Sequence, residues 1–292
     1  MSVVAQDRSG ADYCASLVRG SDFERYASTL FVAQDQDQDI RRTLLALFAF
    51  NIEIARIREQ ITQPLAGEIR LQWWADLLAG TSHGDAAGNP VAAELLQAID
   101  RHALPRELLG GLIDAHRFDL YDEPMQTMQE LEAYLEGTAS ALFRLASRVL
   151  TGTAQPDDDL MRHSGLAFGL TRIVEALPRH ASRGQIYLPV DELDRANVAA
   201  QDVLAGKSTP ELKALLRELA IQARQHLTLT LEHLSRDRTP VRTALLLLAL
   251  LDRKLQRISS ASFDPFEVRR PAANLAVLWT LWRASRREPF RA

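Results

Sequence analysis

Apolar residues recur at three- and four-residue steps along most of this chain, which is the spacing of one face of an α-helix. Within 40–61 they fall at Leu44, Leu47, Phe48, Ile54 and Ile57. Similar patterns predict helices over 68–78, 90–102, 105–118, 127–150, 160–177, 209–235, 240–259 and 271–287. Because no run alternates polar and apolar residues in the manner of a half-buried strand, the fold is predicted to be all-α.

Local signals predict where several of these helices begin and end. Thr127 precedes Glu130 at the spacing of a capping box, and Thr209-Pro210 places a cap before a proline at the first helical position. Pro64 and Pro178 are predicted to end the helices that precede them, since proline lacks the backbone N–H that a helix interior needs.

Composition and charge narrow the class of protein. The 292 residues include 34 basic and 38 acidic side chains, a balance that gives no reason to expect a nucleic-acid partner. With no linker-like tract in the chain, we predict one helical domain over 22–292, preceded by a partly disordered extension over 1–21. A single cysteine, no signal peptide and no apolar run of about 20 residues favour a cytoplasmic location, with peripheral contact at the inner membrane.

Two segments carry recognisable frames. The first runs Ala46-Leu-Phe-Ala-Phe-Asn-Ile-Glu-Ile-Ala-Arg-Ile-Arg-Glu59, and the second runs from Gly165 to Pro189 and contains Arg-Gly-Gln-Ile-Tyr-Leu-Pro. Both frames resemble the squalene/phytoene synthase family. The resemblance implies an isoprenoid-synthase helical fold around a central apolar cavity, in which two acidic motifs on facing helices hold magnesium and the enzyme joins two prenyl diphosphates head to head.

The acidic motifs themselves are largely missing from these frames. Where the resemblance aligns the outer acids of the first motif, the chain has Ala55 and Glu59, and for the second it has Ala176 and His180. Magnesium takes oxygen ligands in near-octahedral geometry, which a methyl group cannot supply. We therefore expect no bound metal and no cofactor, and magnesium only if synthase activity remains.

A narrower resemblance points to a branch of the family that is poor in metal motifs. It rests on Asn51, Glu53, Ala55, Ala176 and Pro178, together with the segment Gly67-Glu-Ile-Arg-Leu-Gln-Trp-Trp74. That branch includes the mitochondrial assembly factor needed for respiratory complex I. It implies a non-catalytic protein that binds a partner of a respiratory complex or an isoprenoid-like lipid.

The candidate site is a degenerate diphosphate site with no assigned catalytic residue. Its members are Arg56, Glu59, Arg70, Asp119, Tyr134, Arg172, Arg179, His180, Arg183 and Tyr187. Arginine donates paired hydrogen bonds to phosphate, so the alternative function is a prenyltransferase that holds diphosphate with arginines instead of magnesium. Two plainer interpretations stay open, namely an ion-pair ladder of Glu53, Arg56 and Glu59, and a loop around His180 that only packs and carries surface charge.

The C-terminal stretch over 275–291 interleaves tryptophan and leucine with arginine. This combination suits a helix lying on a membrane surface. A final helix that docks its apolar stripe on the core and leaves its arginines in water explains the same pattern.

Overall fold

The computed structural model describes residues 2–32, 38–81, 88–152, 157–236, 240–267 and 273–286, and the regular elements in these ranges are helices, as the periodicity predicts. The α-helices are α1 Ser2–Ser21, α2 Phe23–Ser28, α3 Gln38–Ala55, α4 Pro64–Ala79, α5 Pro90–His102, α6 Arg106–Ala115, α7 Met128–Leu135, α8 Ala141–Thr151, α9 Asp158–Ala181, α10 Val190–Arg195, α11 Ala200–Leu204, α12 Pro210–Arg236, α13 Leu251–Ile258 and α14 Asn274–Ser285. Shorter 3₁₀ turns cover Thr29–Phe31, Ile57–Gln60, Phe118–Leu120, Pro240–Thr243 and Leu246–Leu250, and a π-helical turn covers Glu136–Ser140.

The buried apolar side chains form two clusters. One surrounds the long antiparallel contact of α9 with α12 and takes in α7, α13 and α14. The other is built from α1, α3, α5, α6 and α8. The space between α3 and α9, where the two recognised sequence frames face each other, lies between these clusters and becomes the site described below.

The N-terminal segment does not remain an extension. Residues Ser2–Ser21 form α1, which packs on α3 and α5 and buries Cys14 and Val18 in the second cluster. Gly10 of α1 lies so close to Glu94 of α5 that a Cβ there would sit 2.7 Å from the Glu94 carboxylate. This packing was not anticipated from the sequence, because the segment carries few large apolar residues.

Two predicted helix ends are wrong, both at proline. Pro178 lies inside α9, which continues to Ala181, and the chain recovers its hydrogen bonding when Ser182 N donates to Pro178 O at 3.1 Å. Proline inside a helix removes one donor and crowds the carbonyl four residues earlier, and the packing of α9 against its neighbouring helices offsets this cost. Pro64 begins α4, whereas α3 has already ended at Ala55 and given way to a 3₁₀ turn.

The predicted 127–150 helix is continuous but changes its winding at the π-helical turn. Its start is as predicted: Glu130 N donates to Thr127 Oγ1 at 3.2 Å, and Glu130 Oε2 accepts from Gln126 N at 2.7 Å. At the turn, α9 comes very close, because a Cβ on Gly169 would be 2.6 Å from Leu135 Cδ2 and one on Gly165 would overlap Ser140. The two glycines therefore set the spacing between the walls of the site.

The predicted 271–287 helix is shorter in the structure, where α14 runs from Asn274 to Ser285. Residues 271–272 and 287–292 lie outside the described residues. None of the helices in the described part of the chain combines the length and apolar character needed to cross a membrane.

Candidate functional site

A cavity of about 220 Å³ opens between α3, the π-helical turn and α9. Its polar lining residues are Arg25, Asn51, Arg58, Glu59, His116, Asp119, Tyr134, Thr138, Arg172, Arg179, His180, Arg183, Gln185 and Tyr187. Its apolar lining includes Ala55, Ala176, Phe168 and Ile173. The resemblance implies an apolar cavity, and the one at this place has a mixed lining in which five arginines face two carboxylates.

The positions of the two acidic motifs meet in this cavity, but their side chains do not suit magnesium. Ala55 and Ala176 both line it and offer only methyl groups. Glu59, the remaining outer acid, forms an ion pair with Arg183, and the fourth position is the imidazole of His180. Among the described residues, no group of three or more His, Cys, Asp or Glu side chains is placed to hold a metal ion.

One wall of the cavity is organised by the buried carboxylate of Asp119. The hydroxyls of Tyr134 and Tyr187 donate to its Oδ1 at 2.9 and 2.7 Å, and Nδ1 of His116 faces its Oδ2 at 2.7 Å. Gln185 Nε2 donates to the Asp119 backbone carbonyl at 3.1 Å. Burial and the Asp119 charge raise the pKa of both tyrosines, so their hydroxyls remain neutral donors.

A second wall is cationic. Arg172 makes no hydrogen bond or ion pair with any residue that the structure describes. Desolvation and the neighbouring Arg172 lower the pKa of Arg179. Arg25 donates to Asp22 at 3.3 Å and lies with its guanidinium carbon 5.1 Å from the Phe168 ring centre. Like charges held this close repel one another, which favours the uptake of an anion between them.

His180 lies where the two walls meet. Its ring centre is 4.6 Å from that of Tyr187, and its Nδ1 is buried with no hydrogen-bond partner among the described residues. Burial, followed by the charge of Arg179, lowers the pKa of His180 to about 4. At neutral pH the imidazole is therefore uncharged, and its buried nitrogen is available to a ligand.

This lowered pKa gives the fold a defined acid sensitivity. An unfolded histidine takes up a proton below about pH 6.5, whereas folded His180 resists it down to about 4, so the unfolded state gains stability as the pH falls between these values. We expect His180→Gln to flatten the decline in thermal stability over that range, by at most about 1.4 kcal/mol per pH unit. Melting curves from pH 7.5 down to 4.5 measure this, and equal slopes for variant and wild type would contradict it.

The structure brings most of the predicted site residues together. Glu59, Asp119, Tyr134, Arg172, Arg179, His180, Arg183 and Tyr187 line the cavity, as do Asn51, Ala55 and Ala176. Glu53, Arg56, Arg70 and Pro178 do not line it. Burial raises the pKa of Glu53, and Arg56 and Arg70 oppose that shift, so these three side chains form a separate charged group beside the site.

The expected ion-pair ladder of Glu53, Arg56 and Glu59 does not form. Because α3 ends at Ala55, Arg56 and Glu59 leave the helical face on which the ladder depends, and Glu59 pairs with Arg183 instead. Arg70 donates to Gln60 at 2.6 Å on the surface.

Five charged or polar lining residues were not predicted from sequence, namely Arg25, Arg58, His116, Thr138 and Gln185. Arg25 follows the cap of a six-residue helix, where no periodic pattern marks it. Of these residues, only His116 could have been recognised from the sequence, because it stands three residues before Asp119, the spacing of neighbours on a helical turn.

Comparisons with known proteins identify the family and the fold. A family model described as squalene/phytoene synthase matches residues 18–283. The chain is 30% identical over 279 residues to NADH dehydrogenase (ubiquinone) complex I, assembly factor 6 of Rattus norvegicus, covering 95% of this chain and 82% of that protein. It is 28% identical over 266 residues to a phytoene synthase of Arthrospira platensis, covering 84% of each. The crystal structure of a dehydrosqualene synthase in complex with ligand superimposes with a TM-score of 0.75 at 19% identity, covering 97% of this chain and 98% of that one, which identifies the fold.

Proposed function

The chain belongs to the squalene/phytoene synthase family, and we propose that it uses the family's helical shell to bind a ligand rather than to run a magnesium-dependent synthase reaction. In this proposal the cavity holds the phosphate or diphosphate end of an isoprenoid-like lipid. The observation that carries the proposal is the exchange of ligands at the motif positions, where Ala55 and Ala176 replace oxygen donors and arginines surround them.

Arginine is well suited to this task. Its planar guanidinium donates two parallel hydrogen bonds to a phosphate and stays charged when desolvated. Arg172 and Arg179 make no direct ion pair with a described residue, although Asp22 and Glu175 attract Arg172 and Glu59 attracts Arg179. Arg183, by contrast, is paired with Glu59, and Arg25 with Asp22. Arg172 and Arg179 are therefore the proposed anion clamp, and the neutral imidazole of His180 lines the same cavity.

The size of the cavity favours a small head group. Pockets for drug-sized ligands typically measure about 300–1,000 Å³, and the cavity here is about 220 Å³. Its lining is held by the close approach of α9 to Leu135 and Ser140. This volume suits one phosphate or diphosphate group with the start of a lipid chain, and it is small for two prenyl diphosphates side by side.

The proposed biological role is in the assembly of a respiratory complex, with the ligand-bound protein contacting a partner protein. It is supported by the relative named complex I assembly factor 6, which aligns over nearly the whole of this chain at 30% identity. Co-purification of the tagged chain with subunits of NADH:ubiquinone oxidoreductase from its source organism tests this role. Recovery of none of these subunits would count against it.

Calorimetric titration with inorganic pyrophosphate tests the site. We expect pyrophosphate to bind in the presence of EDTA, and magnesium to leave the affinity unimproved. Arg172→Ala should weaken binding by about 10- to 100-fold, the usual effect of losing one charge-assisted hydrogen bond to an anion.

Arg253→Ala is the matched control, since Arg253 is an exposed arginine of α13 outside the cavity and its loss changes the net charge equally. It should leave the affinity nearly unchanged. Binding that requires magnesium, or an Arg253→Ala effect as large as that of Arg172→Ala, would refute the proposed clamp.

Arg172 and Arg179 also favour a second function, a metal-independent prenyltransferase. Guanidinium groups can stabilise a departing diphosphate electrostatically. Incubation with farnesyl or geranylgeranyl diphosphate separates the two functions. Release of pyrophosphate with a coupled C30 or C40 product that survives EDTA, and that is lost in Arg172→Ala, would establish the second function in place of the first.

A further inference from the structure

Helix α14 is apolar on two opposite sides. Val277, Leu281 and Ala284 are buried against the Leu246–Leu250 turn and α2. Leu278 packs partly against the same core, and the other large apolar side chains of the helix face away from this contact. Packing against the core therefore explains only one of the two apolar sides of α14.

The outward side consists of Leu275, Trp279 and Trp282, which are 78%, 59% and 42% exposed. At 3.6 residues per turn, their spacing of four and three residues places them in one line along the helix, opposite the buried stripe. The two tryptophan rings stack on each other with centres 5.0 Å apart and planes 23° apart. Two tryptophans stacked in water on a convex helix form a raised apolar ridge, and not a pocket.

The charges along this ridge have one sign. Arg286 continues the same line of residues, and its guanidinium carbon lies 5.4 Å from the centre of the Trp282 ring. Arg283 is exposed on its flank, and no acidic residue occurs between Asn274 and Ser285. The sequence after the helix adds Arg287 and Arg291, with Glu288 between them.

We propose that this outer side of α14 is a docking surface for an anionic lipid bilayer. Tryptophan suits the boundary between head groups and acyl chains because its ring is apolar and its N–H needs a polar partner. Arginine beside it reaches lipid phosphates, and the attraction to an anionic leaflet complements a face without carboxylates. The proposal depends on α14 alone and does not need the cavity to bind a ligand.

Co-sedimentation with phosphatidylcholine vesicles, with and without phosphatidylglycerol, tests this surface. We expect the full chain to bind the phosphatidylglycerol vesicles, with a blue shift of tryptophan fluorescence and weaker binding at high salt. Trp279→Ser with Trp282→Ser should lower the partition coefficient about tenfold or more. Arg283→Gln with Arg286→Gln should lower it severalfold and reduce its salt dependence, at about 1 kcal/mol per basic residue near the surface.

The matched control is Leu65→Ser with Ile69→Ser on α4, two residues that are 69% and 64% exposed on a helix that also carries Glu68. It should leave vesicle binding nearly unchanged. Because all these side chains are exposed, the variants should melt near the wild-type temperature. No binding of the wild type to phosphatidylglycerol vesicles, or equal loss in the α4 variant, would overturn the proposal. So would a dimer in analytical ultracentrifugation that the tryptophan variant abolishes, which would make the ridge an interface between two copies.

Discussion

Replacing Gly165 by alanine is expected to lower the free energy of unfolding by about 3 kcal/mol or more, at the upper end of what overpacking costs. A Cβ at this position would overlap the Cα, N and Oγ atoms of Ser140 in the π-helical turn. A flexible side chain could move aside, but two of these atoms are backbone, so α9 would have to separate from the turn. Urea denaturation of the variant and the wild type measures the difference.

Gly111→Ala is the control for this prediction. Gly111 lies inside α6, and a Cβ there would meet no atom within 4 Å. The substitution should stabilise the protein by roughly 0.5–1 kcal/mol, because alanine loses less backbone entropy than glycine when a helix forms. If Gly165→Ala cost less than about 1 kcal/mol, the close helix contact would not be the constraint that the structure indicates.

Asp119→Ala is expected to have an effect of similar size, about 3–5 kcal/mol. The substitution removes the acceptor of two buried tyrosine hydroxyls and of His116, so three donors lose their partner inside the protein. The loss should appear as a lower midpoint of urea denaturation.

Asp122→Ala separates this effect from the mere loss of a carboxylate. Asp122 is exposed and pairs with Arg58 at 2.9 Å on the surface, and such pairs contribute roughly 0–1 kcal/mol. A cost for Asp119→Ala as small as that of Asp122→Ala would mean that the hydrogen-bond network around Asp119 does not stabilise the fold.

The helices were predictable because helical periodicity is a local property. The limits of α5 agree with the prediction to the residue, and Thr127 caps α7 as its spacing indicates. Helix ends were less predictable where tertiary contacts decide them. Pro178 stays inside α9 because neighbouring helices hold that helix on both sides, and this support cannot be seen in a local window.

The candidate site was predicted in part, and the resemblance supplied most of what was predicted. It placed Ala55 and Ala176 on facing helices and Asp119 near Tyr134, and all four line the cavity. Pairings between distant segments were not predictable, such as that of Glu59 with Arg183, since nothing near either residue specifies its partner. Arg25 was missed for the same reason, because only the packing of α2 brings it to the cavity wall.

Because Cys14 is buried, the reaction of its thiol can report local unfolding of this protein. It is the chain's only thiol, and burial, followed by the nearby charge of Glu94, raises its pKa to about 12, so the reactive thiolate is scarce in the native state. An alkylating reagent can reach the sulfur only when α1 separates from α3 and α5. The rate of alkylation therefore counts openings of the N-terminal helix, without any introduced label.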